Sequence, residues 1–271
     1  MNLYLEYLKS FHRLSKYLNR SFIQKRKKFF SAHDGIDFKK IPIFVISYNR
    51  LSYLEGLIGR LENMGYTNIK IIDNASTYPP LLEYYNKTQY EVFRLKKNYG
   101  HMVFWKVKGF KKYRNDLYVV TDPDVLPVME CPDNFMEEFY LTIKKYPRIK
   151  KAGFSLKIDD IPEEAPLYKD VLKWEKAYNF FKIPFKNAYS ADIDTTFALY
   201  IPDYLDVSRH FITAVRLGAP FQCRHLPWYK VASDVTEEDV FYSEHRTNGF
   251  WDSASGSRTE EGAESDWGKD N

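Results

Sequence analysis

LYVVTDPDV, residues 117–125, is the stretch on which the reading of this chain turns. Its apolar run is too short for a helix and is rich in β-branched side chains, so it predicts a buried strand. Asp122-Pro123-Asp124 follow at once, which sets two carboxylates one residue apart at the strand's carboxyl end, with the proline fixing φ between them. Upstream, IPIFVIS (41–47), NIKIID (68–73) and YEVFRL (90–95) read as three further strands. Between the first two, Leu51, Leu54, Leu57, Ile58, Leu61 and Met64 recur at helical spacing, and Gly65 stands where a C-terminal cap belongs. Pro79 and Pro80 open a short helix at LLEYY, and a further helix is expected over His101 to Tyr113. Strands alternating with helices predict an α/β domain whose mostly parallel sheet is flanked by helices.

All four strands end in polar residues: Ser47-Tyr48-Asn49-Arg50, Asp73-Asn74-Ala75-Ser76, Asn98-Tyr99-Gly100-His101 and Asp122-Pro123-Asp124. Ligands of open α/β sheets bind outside the carboxyl ends of the strands, so these four ends are expected to share one crevice. Downstream, Asp133 reads as the N-cap of a helix to Tyr146, KAGFSLKI (151–158) as a strand, Tyr168 to Phe181 as an aromatic helix and SADIDTTFALYIP (190–202) as another strand.

Residues 1–40 form a basic N-terminal segment. Tyr4, Leu8, Phe11, Leu14, Leu18 and Phe22 fall on one stripe of an amphipathic helix over residues 1–30, with KRKK at Lys25 to Lys28 behind it. That stripe suits either packing on the main domain or a peripheral contact with an anionic membrane surface. The main domain spans 41–252, in two halves, 41–125 and 126–252. An acidic tail of small residues, 253–271, is expected to be flexible.

Tyr (22), Phe (20) and Trp (5) make 17% of the 271 residues, plates suited to sugar and base surfaces. A net charge of +4 is too balanced for a general nucleic-acid binder. Two distant cysteines, Cys131 and Cys223, exclude a zinc cluster or a disulfide framework, which favours a reducing compartment. With no apolar run long enough to span a bilayer and no signal-peptide h-region, a cytoplasmic location is expected.

Paired carboxylates at a strand end suit a hard divalent ion, Mn²⁺ or Mg²⁺, held against a diphosphate. IFVISYNR, IIDNAST, LKKNYGH and VVTDPDV, in that order over Ile41 to Val125, resemble the nucleotide-binding half of GT-A glycosyltransferases of the family 2 type. The resemblance implies a Rossmann-like GT-A fold, a nucleotide-sugar donor, with a UDP-sugar favoured, and a glycan or lipid-linked acceptor in surface polysaccharide assembly. It implies nucleotide contacts from Ser47, Asn49, Arg50, Asp73, Asn98, Gly100 and Asp122, with Asp73 on the base, and metal ligation by Asp122 and Asp124. His225 stands where several such enzymes place a third metal ligand; a lone histidine also serves structural roles.

Inverting transfer needs a carboxylate base beside the acceptor hydroxyl. Asp194, read as lying inside an apolar strand where an unpaired charge is costly, and Glu238 in TEEDVFY are the two candidates ranked together; Asp192, Glu237 and Asp239 are also available. A haloacid-dehalogenase-like phosphatase also uses D-x-D, but at the opening of its domain and followed by threonine. Nucleotidyltransferases and dinucleotide oxidoreductases need a glycine-rich first turn, which SYNR is not. A non-catalytic nucleotide- or carbohydrate-binding protein is the remaining alternative.

Overall fold

The computed structural model describes residues 20–178, 183, 187–205, 214–246, 251–252 and 257–258. Strands β1 (Ile43–Ser47), β2 (Ile69–Asp73), β3 (Glu91–Arg94) and β4 (Tyr118–Thr121) lie where the sequence predicts them. They pair in parallel in the order β3-β2-β1-β4, so their polar ends reach one edge. Ser47 stands level with Asp73 across the β1·β2 ladder, and β4 runs on into Asp122.

Beyond β4 the sheet continues through β8 (Ala198–Tyr200), β6 (Lys151–Leu156), β9 (Ala214–His225) and β5 (Val125–Pro127), with β7 (Ala188–Ser190) also on β9. β1 to β4, β6 and β9 run one way, and β5, β7 and β8 the other, so the sheet is mostly parallel in direction. Helices α2 (Leu51–Asn63), α3 (Pro79–Lys87) and α5 (Phe135–Lys145) supply side chains such as Leu54, Leu57, Leu81, Phe135 and Phe139 to the larger core. A second core on Phe44, Ile46, Ile72 and Val120 is closed by α4 (Val103–Lys106) and a 3-10 helix over Lys108–Asn115.

Gly65, at φ +82°, ends α2 in the left-handed conformation, with its N–H on the Glu62 carbonyl and that of Tyr66 on Leu61. Three expectations are corrected. The helix expected over His101 to Tyr113 is two short pieces broken at extended Val107. Val107 and Gly109 are poor helix formers, and Lys108, Lys111 and Lys112 place like charges at helical spacing. Asp133 does not cap α5: the helix starts at Phe135 after Asn134, and the Asp133 carbonyl instead accepts Lys39 Nζ (2.6 Å) and the Tyr66 hydroxyl (2.7 Å). The strand expected over 190–202 is interrupted between β7 and β8, so Asp194 lies on a largely buried loop and is itself exposed.

Of the N-terminal segment, α1 (Arg20–Ala32) is described. It packs on the domain: Phe22, Phe29 and Phe30 are buried, and buried Arg26 donates to the Ile143 (2.7 Å) and Ile149 (2.8 Å) carbonyls. Tyr4, Leu8, Phe11, Leu14 and Leu18 lie outside the described residues, as do residues 179–181 of the aromatic helix expected to Phe181; α6 is described over Tyr168–Tyr178. Among the described residues, no helix is long and apolar enough to cross a membrane.

Candidate functional site

The ends of β1 and β2 are bound to each other by side chain to backbone bonds. Asn49 is fully buried at φ +51°, a conformation asparagine tolerates better than most residues. Its Oδ1 accepts the N–H groups of Thr77 (2.7 Å) and Tyr78 (3.0 Å), and its own N–H donates to Ser76 Oγ (3.0 Å). Asp73 is buried; Oδ1 accepts the Ser76 N–H (2.9 Å) and Oδ2 lies 3.7 Å from Arg94 Nε. Ala75, at φ +65°, sits between these anchors, a strained conformation of the kind that collects at ligand sites. Ser47 is also fully buried, its Oγ accepting the Tyr85 hydroxyl (2.9 Å).

Asn98 Oδ1 accepts from Asn74 Nδ2 (2.7 Å) and from the Gly100 N–H (2.7 Å), and Asn74 Oδ1 accepts the Tyr99 N–H (2.9 Å). Asn74 therefore latches the 98–100 turn to the end of β2. Gly100 has φ +75°, which favours glycine there.

The Asp122-Pro123-Asp124 turn is fixed from two distant parts of the chain. The Thr195 hydroxyl donates to Asp122 Oδ2, and the Asp122 N–H donates to the Thr195 carbonyl (3.0 Å). On the other side, β5 pairs antiparallel with β9, Val125 opposite His225, and the Leu226 N–H donates to the Asp124 carbonyl (2.8 Å). This pairing brings His225 Nε2 to 3.6 Å from Asp124 Oδ2. Burial and the nearby Asp124 and Asp194 charges push the Asp122 carboxyl well above the usual carboxylate range, while the Thr195 hydroxyl opposes the rise.

Asp124 Oδ1 and His225 Nδ1 are buried and have no hydrogen-bond partner. Among the described residues, no group of three or more His, Cys, Asp or Glu is arranged to hold a metal ion. Two donor side chains side by side, one with a buried unpartnered oxygen, fit an ion whose remaining ligands come from a bound diphosphate and water; they do not form a complete protein cage.

The loop from Ala191 to Phe197 keeps strand-like alternation of buried and partly exposed residues without a strand neighbour. Its carbonyls go to buried cations instead. Lys151 Nζ of β6 donates to the Ile193 carbonyl, and Arg216 Nε of β9 donates to the Asp192 carbonyl (2.6 Å). Arg216 is itself paired with buried Glu175 of α6 at 2.7 Å. Held there and by Asp122, the loop turns Asp194 outward and leaves Asp192 Oδ1 buried without a partner.

Burial holds the Lys151 ammonium down to about 7, Lys150 adding to the effect and the Asp194 and Asp192 charges opposing it. A lysine whose folded pKa lies below its unfolded 10.5 binds its proton more weakly when folded. The protein is therefore expected to gain stability as pH rises through that window, by about 1.4 kcal/mol per pH unit from this group. Denaturant unfolding at pH 7 and pH 9 checks this: Lys151→Met removes that increment, and parallel profiles for variant and wild type refute it.

Glu238 and Arg50 have structural partners. α7 (Glu237–His245) opens on a Thr236/Asp239 capping box, and Glu238 points from it into the start of α2. Its Oε2 accepts the N–H groups of Leu51 (2.8 Å) and Ser52 (3.0 Å), and its Oε1 accepts the Ser52 hydroxyl (2.5 Å). Arg50 gives α2 no side-chain cap, so the cap comes from Glu238, 187 residues away. Arg50 itself is ion-paired to Asp239 and lies 4.0 Å from the Tyr242 ring centroid. Burial alone would raise the Asp239 carboxyl, but Lys230, Thr236 and Arg50 donate to it and carry it well below the ordinary range.

The structure thus brings Asp122, Asp124, His225 and Asp194 into one neighbourhood, with Asp73, Asn98 and Gly100 along the same sheet edge. Thr195, Lys151 and Arg216 were not among the residues singled out from sequence, and Asn74 was read only as part of a polar strand end. For the two cations a signal existed: a charge inside an apolar run must find a partner.

No protein-family model matches the sequence, and no curated protein is significantly similar to it. Solved structures that it resembles include glucosyl-3-phosphoglycerate synthase from Mycobacterium tuberculosis in complex with phosphoglyceric acid, at 10% identity and TM-score 0.38, covering 65% of this chain and 60% of that one. The same synthase with Mn²⁺ and uridine-diphosphate-glucose aligns at 11% identity and TM-score 0.34, with the same coverage. S. aureus TarS, residues 1–349, aligns at 15% identity and TM-score 0.38, covering 78% of this chain and 74% of that one. The chain spans about 60% of the length of the synthase.

Proposed function

We propose that the crevice at the carboxyl edge of β3-β2-β1-β4 binds a nucleotide-sugar, a UDP-sugar in the first instance, and that the protein transfers its sugar to a hydroxyl of a glycan or lipid-linked acceptor. The observation that carries this reading is the convergence of Asp122, Asp124 and His225 at the end of β4 beside an exposed carboxylate, Asp194. Asp73 would meet the base, and the Asn74-latched turn at Asn98 and Gly100 would line the nucleotide pocket. Asp124 and His225 would hold Mn²⁺ or Mg²⁺. When bound, such an ion neutralises charge on the departing nucleoside diphosphate.

Asp194 would take the acceptor proton; a loop clamped through the backbone and a carboxylate left exposed support that role. Transfer by an in-line acceptor hydroxyl would invert the anomeric centre. Thr195 keeps Asp122 oriented, and burial together with the neighbouring Asp124 and Asp194 charges, which a cation would offset, raises the Asp122 carboxyl. Surface polysaccharide assembly is the setting this chemistry suits.

The test is incubation with Mn²⁺ and a panel of UDP-, GDP- and dTDP-sugars, reading released nucleoside diphosphate. Release from one donor, abolished by EDTA, is expected. Binding without release from any donor, with or without a mixture of glycan acceptors, would instead mark a non-catalytic binding protein.

A further inference from the structure

Residues 92 to 115 contain eight Lys or Arg and no Asp or Glu, in a chain whose overall charge is nearly balanced. The fold puts the surplus on one outer surface. The three-residue period of the 3-10 helix over Lys108–Asn115 divides it into ridges. Phe110 and Tyr113 turn inward against Phe93 and Phe44, while Lys108 and Lys111 share one outward ridge and Lys112 stands on the next. Arg114 is drawn off by Asp203 at 3.4 Å. Lys96, Lys97, Lys106, Lys108, Lys111 and Lys112 are all exposed, and none forms an ion pair with a described residue.

The surface begins at the crevice. Lys97 Nζ lies 4.9 Å from the centroid of the Tyr99 ring, and Lys106 Nζ donates to the Tyr99 carbonyl (3.4 Å), within the turn that Asn74 holds. From there it runs outward along the layer that closes the second core.

We infer that this face is a docking surface for an anionic glycan chain, the acceptor of the proposed transferase, laid alongside the crevice with its end at the Tyr99 turn. The inference rests on the proposed function for the occupant's identity and on charge complementarity for the contact. Val103, Phe104 and Phe110 are buried in the second core, Leu95, Trp105 and Val107 are partly buried against it, and none of the exposed large hydrophobic residues among those described falls in this stretch, so it offers no projecting apolar side chain to a bilayer. The exposed cations without an ion pair are all lysines, point charges suited to spaced carboxylates or phosphates, while exposed Arg94 is drawn to Asp73 at 3.7 Å; the rings of Tyr99, Trp105 and Tyr113 are partly buried, unlike the open platforms that hold single-stranded bases.

The experiment uses the full chain and a triple variant, Lys108→Gln, Lys111→Gln and Lys112→Gln, three exposed residues outside the proposed catalytic machinery. The probes are oligogalacturonate, neutral malto-oligosaccharide, oligothymidylate matched in charge number, and phosphatidylglycerol vesicles, with UDP affinity measured in parallel. Wild type is expected to bind oligogalacturonate in a salt-sensitive manner and the variant to lose about tenfold or more, with UDP affinity unchanged. Equal oligogalacturonate affinity in the two proteins, absent binding in wild type, or equal binding of the neutral glycan overturns the inference. So does tenfold tighter binding of oligothymidylate or vesicles lost in the same variant, which would assign the face to nucleic acid or membrane. Failure of UDP to bind while oligogalacturonate binding responds to the variant would remove the proposed function and leave only an anion-binding surface.

Discussion

Asp124→Asn is expected to lower Mn²⁺-dependent sugar transfer roughly a thousandfold, the effect of losing several kcal/mol of charge stabilisation on the leaving diphosphate. Asp124 has a buried oxygen without a partner and a second oxygen 3.6 Å from His225. An amide of the same shape keeps the volume and discards the negative charge that holds the ion. The fold should not suffer, because the turn is fixed through backbone atoms: the Leu226 N–H on the Asp124 carbonyl and the Asp122 N–H on Thr195. Removing the Asp124 charge also relieves the repulsion that adds to burial in raising Asp122, so the metal-free variant is expected to melt no earlier than wild type. Calorimetry with UDP at fixed Mn²⁺ and a thermal melt without metal read both halves. Undiminished Mn²⁺-dependent nucleotide affinity in the variant would show that the ion, if one is used, is held elsewhere.

The parts of this arrangement that could be read in the sequence are those written locally. β1 to β4 were legible because short β-branched runs end in polar residues and alternate with helical spacing, and Gly65 and the Pro79-Pro80 pair mark helix boundaries within a few residues. Beyond β4 the reading was partial: β6 and the helices ending near Tyr146 and starting at Tyr168 were legible, β5 and β9 were not. β9 runs twelve residues through Gly218 and Pro220, residues that argue against a strand, and its register against β6 jumps from Phe154↔Leu217 to Ser155↔Gln222. Asp124 meets His225 only because that strand pairs with β5, about a hundred residues upstream, and no local pattern encodes such a pairing. Asp194 was misread for a related reason. Its neighbours alternate as a strand would, yet the carbonyls that a ladder would satisfy go to Lys151 and Arg216 from other strands. Glu238 looked like half of an acidic pair before a helix; what it does for α2 becomes visible only when residues 51 and 238 are brought together.

That contrast supplies the second large effect. Asp194→Asn is expected to reduce transfer a hundredfold or more with donor binding retained, because a general base contributes roughly that much and does not touch the nucleotide. Asp194 is exposed and its loop is held through the carbonyls of Asp192 and Ile193 and through Thr195, so its own carboxylate is not needed to keep the loop in place. Glu238→Gln should behave in the opposite way. Its side chain is buried and accepts two backbone N–H groups and one hydroxyl at the start of α2. Glutamine retains one carbonyl oxygen for the two N–H groups but loses the charge that favours a helix N-terminus, a loss of about 1 kcal/mol in stability. Transfer per folded molecule should then stay near the wild-type rate. Single-turnover kinetics with donor affinities, alongside denaturant unfolding, separate the two behaviours. A hundredfold loss of transfer in Glu238→Gln with Asp194→Asn near wild type would reverse the assignment, and place the base on α7 despite its commitment to α2.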